Sequence, residues 1–472
     1  MKSLAHKWGA GPGRGSGSCR LLAAWLFFGA FIPWSPAATV ERLDWNQKNG
    51  LVSAELRSLP LTNFLERLAS ATDWQIYVEP ETTHLVSAKF REQPVGEALR
   101  LLLGNLSFAL VPQANAPPKL FVFRTAMEEA TQLIRARHEA AGGRSGRIMD
   151  ELVVTLKPGQ NIDDLARALG AKVTGSAKEL NTYRLKFADE AAARNAHDTL
   201  KNNSTVSSVD YNYWVSRPGE VNGLALGSLP SFNLQAKPVG EGGQIVVGLI
   251  DTAVQSLGKE FDALVLKSIS VAGEAQVPDG DPTHGTAMAE TILKGSAQIL
   301  PNGQATAIRI LPVDVYGNNA QTTTFDVAVG TYRAVNAGAG IINYSLGGEG
   351  DSAFLHEVIK KAKEQGVIFV GAAGNTPGTA NTVPAYYPEV IAVTAGDRQG
   401  NVASYANSGS FVDGMASGNS LVSYQNRSYL ITGTSAAAAY VSGYAAALAD
   451  KSGKPASEVV AQLLQLIGIK KP

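Results

Sequence analysis

Apolar positions along this chain change period three times. Near the N-terminus two similar units follow one another. Leu59-Pro60-Leu61 leads into Phe64, Leu65, Leu68 and Ala69, then the alternating run Trp74–Val78. Pro94-Val95 leads into Ala98, Leu99, Leu102 and Leu103, then Leu106–Val111. Spacing of three and four residues marks amphipathic helices, each feeding a strand. With strands near Val52–Leu56, Val86–Phe90 and Leu120–Phe123, residues 45–125 read as one small α+β sandwich. A helix over Ala126–Ala140 then runs into Gly142-Gly143-Arg144-Ser145-Gly146-Arg147, so 126–149 is helix plus flexible linker.

Residues 150–215 carry a second small pattern. The strand Leu152–Leu156 ends at Pro158-Gly159. A helix follows with Ile162, Leu165, Ala166 and Leu169 on one face, then the strand Thr182–Phe187, the helix Glu190–Leu200 and the strand Val206–Tyr211. The order βαββαβ predicts a ferredoxin-like sandwich. A further connecting segment, 216–239, precedes the third pattern. From 240 to 472, apolar runs at Ile245–Ile250, Ala307–Val313, Gly340–Tyr344, Val367–Gly371 and Val390–Thr394 alternate with helices at His284–Leu293, Thr324–Ala337, Ser352–Gln365 and Ser435–Ala449. Near-continuous apolar strands separated by helices predict an α/β fold: a doubly wound parallel sheet covered on both faces. Its active site is expected at the carboxyl ends of the strands.

Composition narrows the function classes. The 472 residues are 45% apolar and 17% charged, with a formal net charge of zero, so nothing calls for nucleic acid as a partner. Residues 1–20 carry Lys2, Lys7, Arg14 and Arg20 and no acid. The apolar run Leu21–Ile32 follows, then Pro33 and the small-residue stretch Ser35-Pro36-Ala37-Ala38. That order reads as a signal peptide over 1–38; a run of twelve falls short of the roughly 20 residues that span a bilayer. The expectation is an exported protein, periplasmic or secreted, with no transmembrane span after signal removal. Its single cysteine, Cys19, leaves with the signal, which removes disulfide and thiolate chemistry.

Four side chains stand where chemistry is expected. Asp251 ends the first long strand, where a lone Asp is usually a turn or cap residue. His284 opens a helix within Asp281-Pro282-Thr283-His284-Gly285-Thr286, and a lone His is more often structural. Asn375 follows Gly371-Ala372-Ala373-Gly374; its amide can donate to a developing oxyanion, or it can be a left-handed turn residue. Ser435 follows Gly433-Thr434 at the start of an Ala-rich helix. It is a plain N-cap unless a base reaches it, in which case its hydroxyl is a nucleophile and its N–H an oxyanion donor.

Taken together the four change meaning. Asp251, His284 and Ser435, with Asn375 between the last two, resemble in order and spacing the subtilisin-like serine proteases. The motifs Ile342-Asn343-Tyr344-Ser345-Leu346-Gly347-Gly348 and Tyr387-Pro388-Glu389-Val390 also resemble that family, so the likeness covers 240–472. No GxSxG elbow is present, and neither His138-Glu139 nor His356-Glu357 completes HExxH. Residues 150–215 resemble the family's inhibitory propeptide, including the closing segment 206–212. Residues 45–125 resemble the secretin and TonB short N-terminal domain.

The resemblance implies a zymogen of a serine endopeptidase. Asp251, His284 and Ser435 would form the triad, with Asn375 and the Ser435 N–H as the oxyanion hole. Ser345, Leu346 and Gly347 would bind substrate backbone, and Ala372, Ala373 and Gly374 would line an open apolar first pocket. Partners would be polypeptide substrates, the chain's own propeptide as intramolecular inhibitor, and an envelope protein for 45–125. Self-cleavage is expected within about 211–240. No cofactor is required for the chemistry and no catalytic metal is expected. Acid pairs such as Asp279/Asp281 and Glu349/Asp351 are candidates for a structural calcium, though loop carboxylates are more often solvated.

Five flanking positions in three motifs depart from the family pattern: Ala253 for the usual Gly, Ala287-Met288 for His-Val, and Ala436 and Ala439 for Met and Pro. They motivate the alternative of a catalytically silent subtilase-fold scaffold in the cell envelope.

Overall fold

The computed structural model describes residues 42–46, 51–72, 74–80, 82–113, 117–134, 146–218, 223–226, 233–238, 243–277, 280–301, 303–376, 382–397 and 399–468. The expected signal peptide and parts of the two connecting segments lie outside the described residues.

Two compact units separate, one holding 42–60 and 85–104 and the other the rest. The region expected as a single sandwich therefore contributes to both. The smaller unit pairs Arg42–Asn46, Leu51–Pro60 and Leu85–Pro94 as an antiparallel sheet and carries the helix Val95–Leu103. That helix buries Ala98, Leu99, Leu102 and Leu103, the stripe its spacing predicts.

In the larger unit, Ser107–Val111, Lys119–Phe123, Gln75–Val78 and Gln132–Ile134 form a four-stranded sheet. Its last strand corrects the helix expected over Ala126–Ala140. Among its described residues only the turn Met127–Glu129 is helical, and Gln132–Ile134 pairs antiparallel with Gln75–Val78. Ile134 is buried there opposite Ile76, so an open sheet edge overrides the local preference of a Met/Glu/Ala segment for helix. Residues 135–140 lie outside the described residues.

Residues 147–216 form the ferredoxin-like sandwich in the predicted order. Helices Ile162–Leu169 and Glu190–Leu200 pack with the antiparallel strands Arg147–Leu156, Lys172–Ala177, Thr182–Lys186 and Val206–Ser216. Leu152, Val154, Leu156, Ala166, Leu185, Ala196 and Leu200 make its core. The last strand runs five residues beyond its predicted end and pairs with Gln321–Thr323 of the next domain.

That next domain is built on seven parallel strands in the order Ile269–Ser270, Ile308–Asp314, Ile245–Asp251, Ala339–Tyr344, Ile368–Ala372, Val390–Gly396 and Gly414–Ser417. Alternate residues of each strand enter opposite layers. Val247, Leu249, Ile310, Ile341, Val370 and Val393 pack under helices His284–Ile299 and Thr434–Ser452. Val246, Ile250, Val313, Ile342 and Phe369 pack under helices Thr324–Asn336 and Ala353–Glu364. Helices 284–299 and 434–452 cross in near-backbone contact. A Cβ at Gly295 would lie 2.6 Å from Tyr440 O, and one at Gly443 would lie 2.8 Å from Ser296 N. Ala436 to Ala439 are wholly buried at the start of the second of these helices.

Candidate active site

Parallel strands end on one edge, and the predicted residues gather there. Asp251 closes its strand with no exposed surface, and its Oδ1 accepts the Thr252 N–H at 2.7 Å. Thr252 in turn accepts the Gly285 N–H on its hydroxyl at 2.8 Å, tying the strand end to the helix that starts at His284. Gly285 is needed at that join, because a Cβ would collide with the Thr252 carbonyl. Thr283 caps the helix by accepting the Thr286 N–H and donates its hydroxyl to Ala253 O at 2.5 Å. His284 is thereby held with Nδ1 2.9 Å from both carboxylate oxygens of Asp251. A carboxylate on Nδ1 fixes a proton there and leaves Nε2 as the ring's acceptor.

Ser435 stands in the first turn of helix Thr434–Ser452, which packs on the same face of the sheet as the helix that starts at His284. Gly433 sits at φ 157°, and its N–H bonds Gly418 O at 2.8 Å. Thr434 then donates both its N–H (2.8 Å) and its hydroxyl (3.0 Å) to Asn375 Oδ1. With Oδ1 so occupied, the NH₂ is the carboxamide's remaining hydrogen-bonding group, beside the turn that delivers Ser435. Asn407 supports the same loop: its Oδ1 accepts the Thr376 N–H, and its own N–H bonds Gly374 O. Gly374 adopts φ 109° with Asn407 and Thr382 pressed against the space a Cβ would fill.

Ser345, Leu346 and Gly347 leave the end of the neighbouring strand. The Ser345 hydroxyl donates to Ser435 O and accepts from Asn343 Nδ2, whose Oδ1 takes the buried Ser442 hydroxyl. The Ser435 hydroxyl itself donates to Ser345 O at 3.1 Å. Ala372 packs in the large core and Ala373 is fully buried with its N–H on Val393 O, so neither presents open surface.

Sequence reasoning missed Thr252, Thr434, Asn407 and Ser442, small polar residues whose partners are distant in the chain. It also missed Asp314, which stands in register with Asp251 on the adjacent strand and accepts the Tyr316 and Gly317 N–H groups. Burial, reinforced by the nearby Asp251 charge, holds its carboxyl above the usual range. Of the candidate cation residues, Asp279 lies outside the described residues. No cluster of three or more metal-ligating His, Cys, Asp or Glu occurs among the described ones.

A second set of contacts joins the sandwich to this domain. Asn212, fully buried, accepts the Phe325 N–H and Thr324 hydroxyl at the start of one helix and donates to Glu151. Asp210 accepts the Ser352 hydroxyl and Phe354 N–H at the start of the next helix. Arg184 pairs with Asp326 at 2.9 Å.

A family profile described as "Subtilase family" matches residues 242–466, and one described as "Fervidolysin N-terminal prodomain" matches 138–212. The chain is 30% identical to a thermophilic serine proteinase of Bacillus sp. (strain AK1), over 67% of this chain and 81% of that protein. It is 33% identical to thermitase of Thermoactinomyces vulgaris, over 48% of this chain and 83% of thermitase. In fold it is similar to the crystal structure of fervidolysin from Fervidobacterium pennivorans, with a TM-score of 0.52 at 20% identity. That match covers 69% of this chain and 57% of fervidolysin's. The chain therefore belongs to the subtilase family of serine endopeptidases, with a prodomain of the fervidolysin type ahead of its catalytic domain.

Proposed function

We propose that this is an exported endopeptidase zymogen in which Ser435 is the nucleophile, His284 its base and Asp251 the group that orients the imidazole. The observation that carries the reading is the His284–Asp251 contact, 2.9 Å to both oxygens of a carboxylate with no exposed surface. As Ser435 Oγ attacks a peptide carbonyl, His284 Nε2 takes its proton and Asp251 stabilises the imidazolium. The new oxyanion is met by the Asn375 amide and the Ser435 N–H. His284 then protonates the leaving amine, and water releases the acyl group; no cofactor enters. Ser345–Gly347 offers a strand edge to substrate backbone, a grip that tolerates varied side chains.

The prodomain holds the enzyme latent by capping two helices of the catalytic domain and laying its last strand along Gln321–Thr323. Export is supported by the leader-like N-terminus; a periplasmic site of action would suit residues 45–125 docking an envelope protein. A fluorophosphonate probe applied to the purified, self-processed protein tests the catalytic reading. Ser435 should be modified, and Ser435→Ala should remain unprocessed at full signal-cleaved length. Normal processing of Ser435→Ala made alone would overturn it.

A further inference from the structure

The prodomain's last strand lies between Gln321–Thr323 and the segment that follows Ser345. Trp214, Val215 and Ser216 pair antiparallel with Thr323, Thr322 and Gln321, and the Arg217 N–H continues the ladder to Ala320 O at 3.2 Å. On the opposite side the strand lies against Gly348 and Gly350. A Cβ at Gly348 would sit 2.9 Å from Trp214 O, and one at Gly350 would strike the Tyr213 ring. The two segments run in opposite directions, so the same register carried forward sets Pro218 opposite Ser345. Val215 is buried in the apolar layer that also holds Leu346, which locks this register.

Successive N–H groups of a strand point to opposite sides. Arg217 directs its N–H at Ala320, so the N–H of residue 218 would point at the Ser345 carbonyl. Residue 218 is proline and has none. In its place the Ser345 carbonyl takes the Ser435 hydroxyl.

We propose that Val215–Pro218 is the acyl side of the enzyme's own first substrate, with the Pro218 carbonyl the one attacked, and that the missing Pro218 N–H slows this self-cleavage. The proposal rests on the reading of Ser435 as nucleophile. In the step, Ser435 Oγ bonds to the Pro218 carbonyl carbon and its proton passes to His284. The bond from that carbon to the nitrogen of residue 219 breaks, and that nitrogen takes the proton. Water then hydrolyses the ester, leaving a carboxylate on Pro218 and a new N-terminus at Gly219. An amide N–H at 218 would displace the serine hydroxyl from Ser345 O and add one hydrogen bond to the seated chain.

Full-length protein, Pro218→Ala and Pro218→Gly are followed by intact mass and N-terminal sequencing during maturation. All three should yield Gly219 as the new N-terminus, and both variants should mature about tenfold faster, the rate equivalent of one net hydrogen bond. As a second measurement, the matured enzyme should cut the peptide Trp-Val-Ser-Arg-Ala-Gly-Glu-Val about tenfold faster than its proline parent. A new N-terminus elsewhere, or equal rates for variant and parent, overturns the proposal while fluorophosphonate labelling of Ser435 still upholds the catalytic reading. Loss of labelling as well overturns both.

Discussion

Removing the Asn212 side chain should release the prodomain. Its carboxamide is fully buried where the prodomain's last strand meets the start of helix Thr324–Asn336. Oδ1 accepts the Phe325 N–H and the Thr324 hydroxyl, each at 3.1 Å, and Nδ2 donates to Glu151 at 2.9 Å. Asn212→Ala leaves a helix-terminal N–H without its acceptor in a closed interface and takes a donor from a buried carboxylate. The Thr324 hydroxyl can rotate and is not counted. An unpaired buried donor costs about 1–3 kcal/mol, and a lost hydrogen bond to a charged group adds about as much. Glu151 lies in the prodomain itself, so that second loss weakens the prodomain's own fold and only the first enters its dissociation constant: about 1–3 kcal/mol, or about 5- to 140-fold in affinity at about 1.4 kcal/mol per decade. The assay follows peptidase activity of the self-cleaved complex on dilution and extracts the dissociation constant of its prodomain. Asn212→Asp serves as a contrast, because it keeps the acceptor at the helix start but sets a second carboxylate against Glu151. A dissociation constant for Asn212→Ala within threefold of the parent would show that this contact does not hold the prodomain.

Other consequences are as direct. Asn375→Ala should lower kcat by about 10²–10³ with little change in KM, as the loss of one oxyanion donor does elsewhere; steady-state kinetics on a peptide substrate decides it. Gly443→Ala should destabilise the catalytic domain by about 1–3 kcal/mol or more, because its Cβ would meet only backbone of helix His284–Ile299. A fall in Tm is the readout, and an unchanged Tm would mean that the two helices can part. Backbone N–H groups of Thr125 and Arg124 hold the Glu79 carboxyl below its usual range. The stability it contributes is present above the ordinary Glu pKa of about 4.3 and is lost as pH falls through the lowered folded value. Glu79→Gln should therefore be less stable than the parent at pH 7, and thermal unfolding across pH should show the difference shrinking in acid.

Each central strand of the catalytic sheet was legible because its residues are apolar on both faces, a property of local sequence. The seventh strand, Gly414–Ser417, was not, since its Gly-Met-Ala-Ser carries no apolar run. It is a strand because Val390–Gly396 offers it a parallel edge. Gln132–Ile134 was misread for the same reason, its partner Gln75–Val78 lying more than fifty residues upstream. The extension of the prodomain strand to Ser216 went unseen because residues 212–216, Asn-Tyr-Trp-Val-Ser, have no local pattern that names a second domain as their partner.

Alone, the sequence determined which side chains stand at strand ends and helix starts, because period and turn chemistry are written locally. Asp251, His284, Asn375 and Ser435 could be singled out from that, and their order gave the family likeness. Distances were decided only by tertiary structure. The Asp251–His284 contact needs Gly285 to admit the Thr252 carbonyl, the Asn375 amide is turned by Thr434, and the close approach of Tyr213–Val215 to the catalytic domain is admitted by Gly348 and Gly350. Each depends on two chain segments far apart in sequence meeting within a few ångströms, and close packing between such segments is fixed only once the whole core has formed.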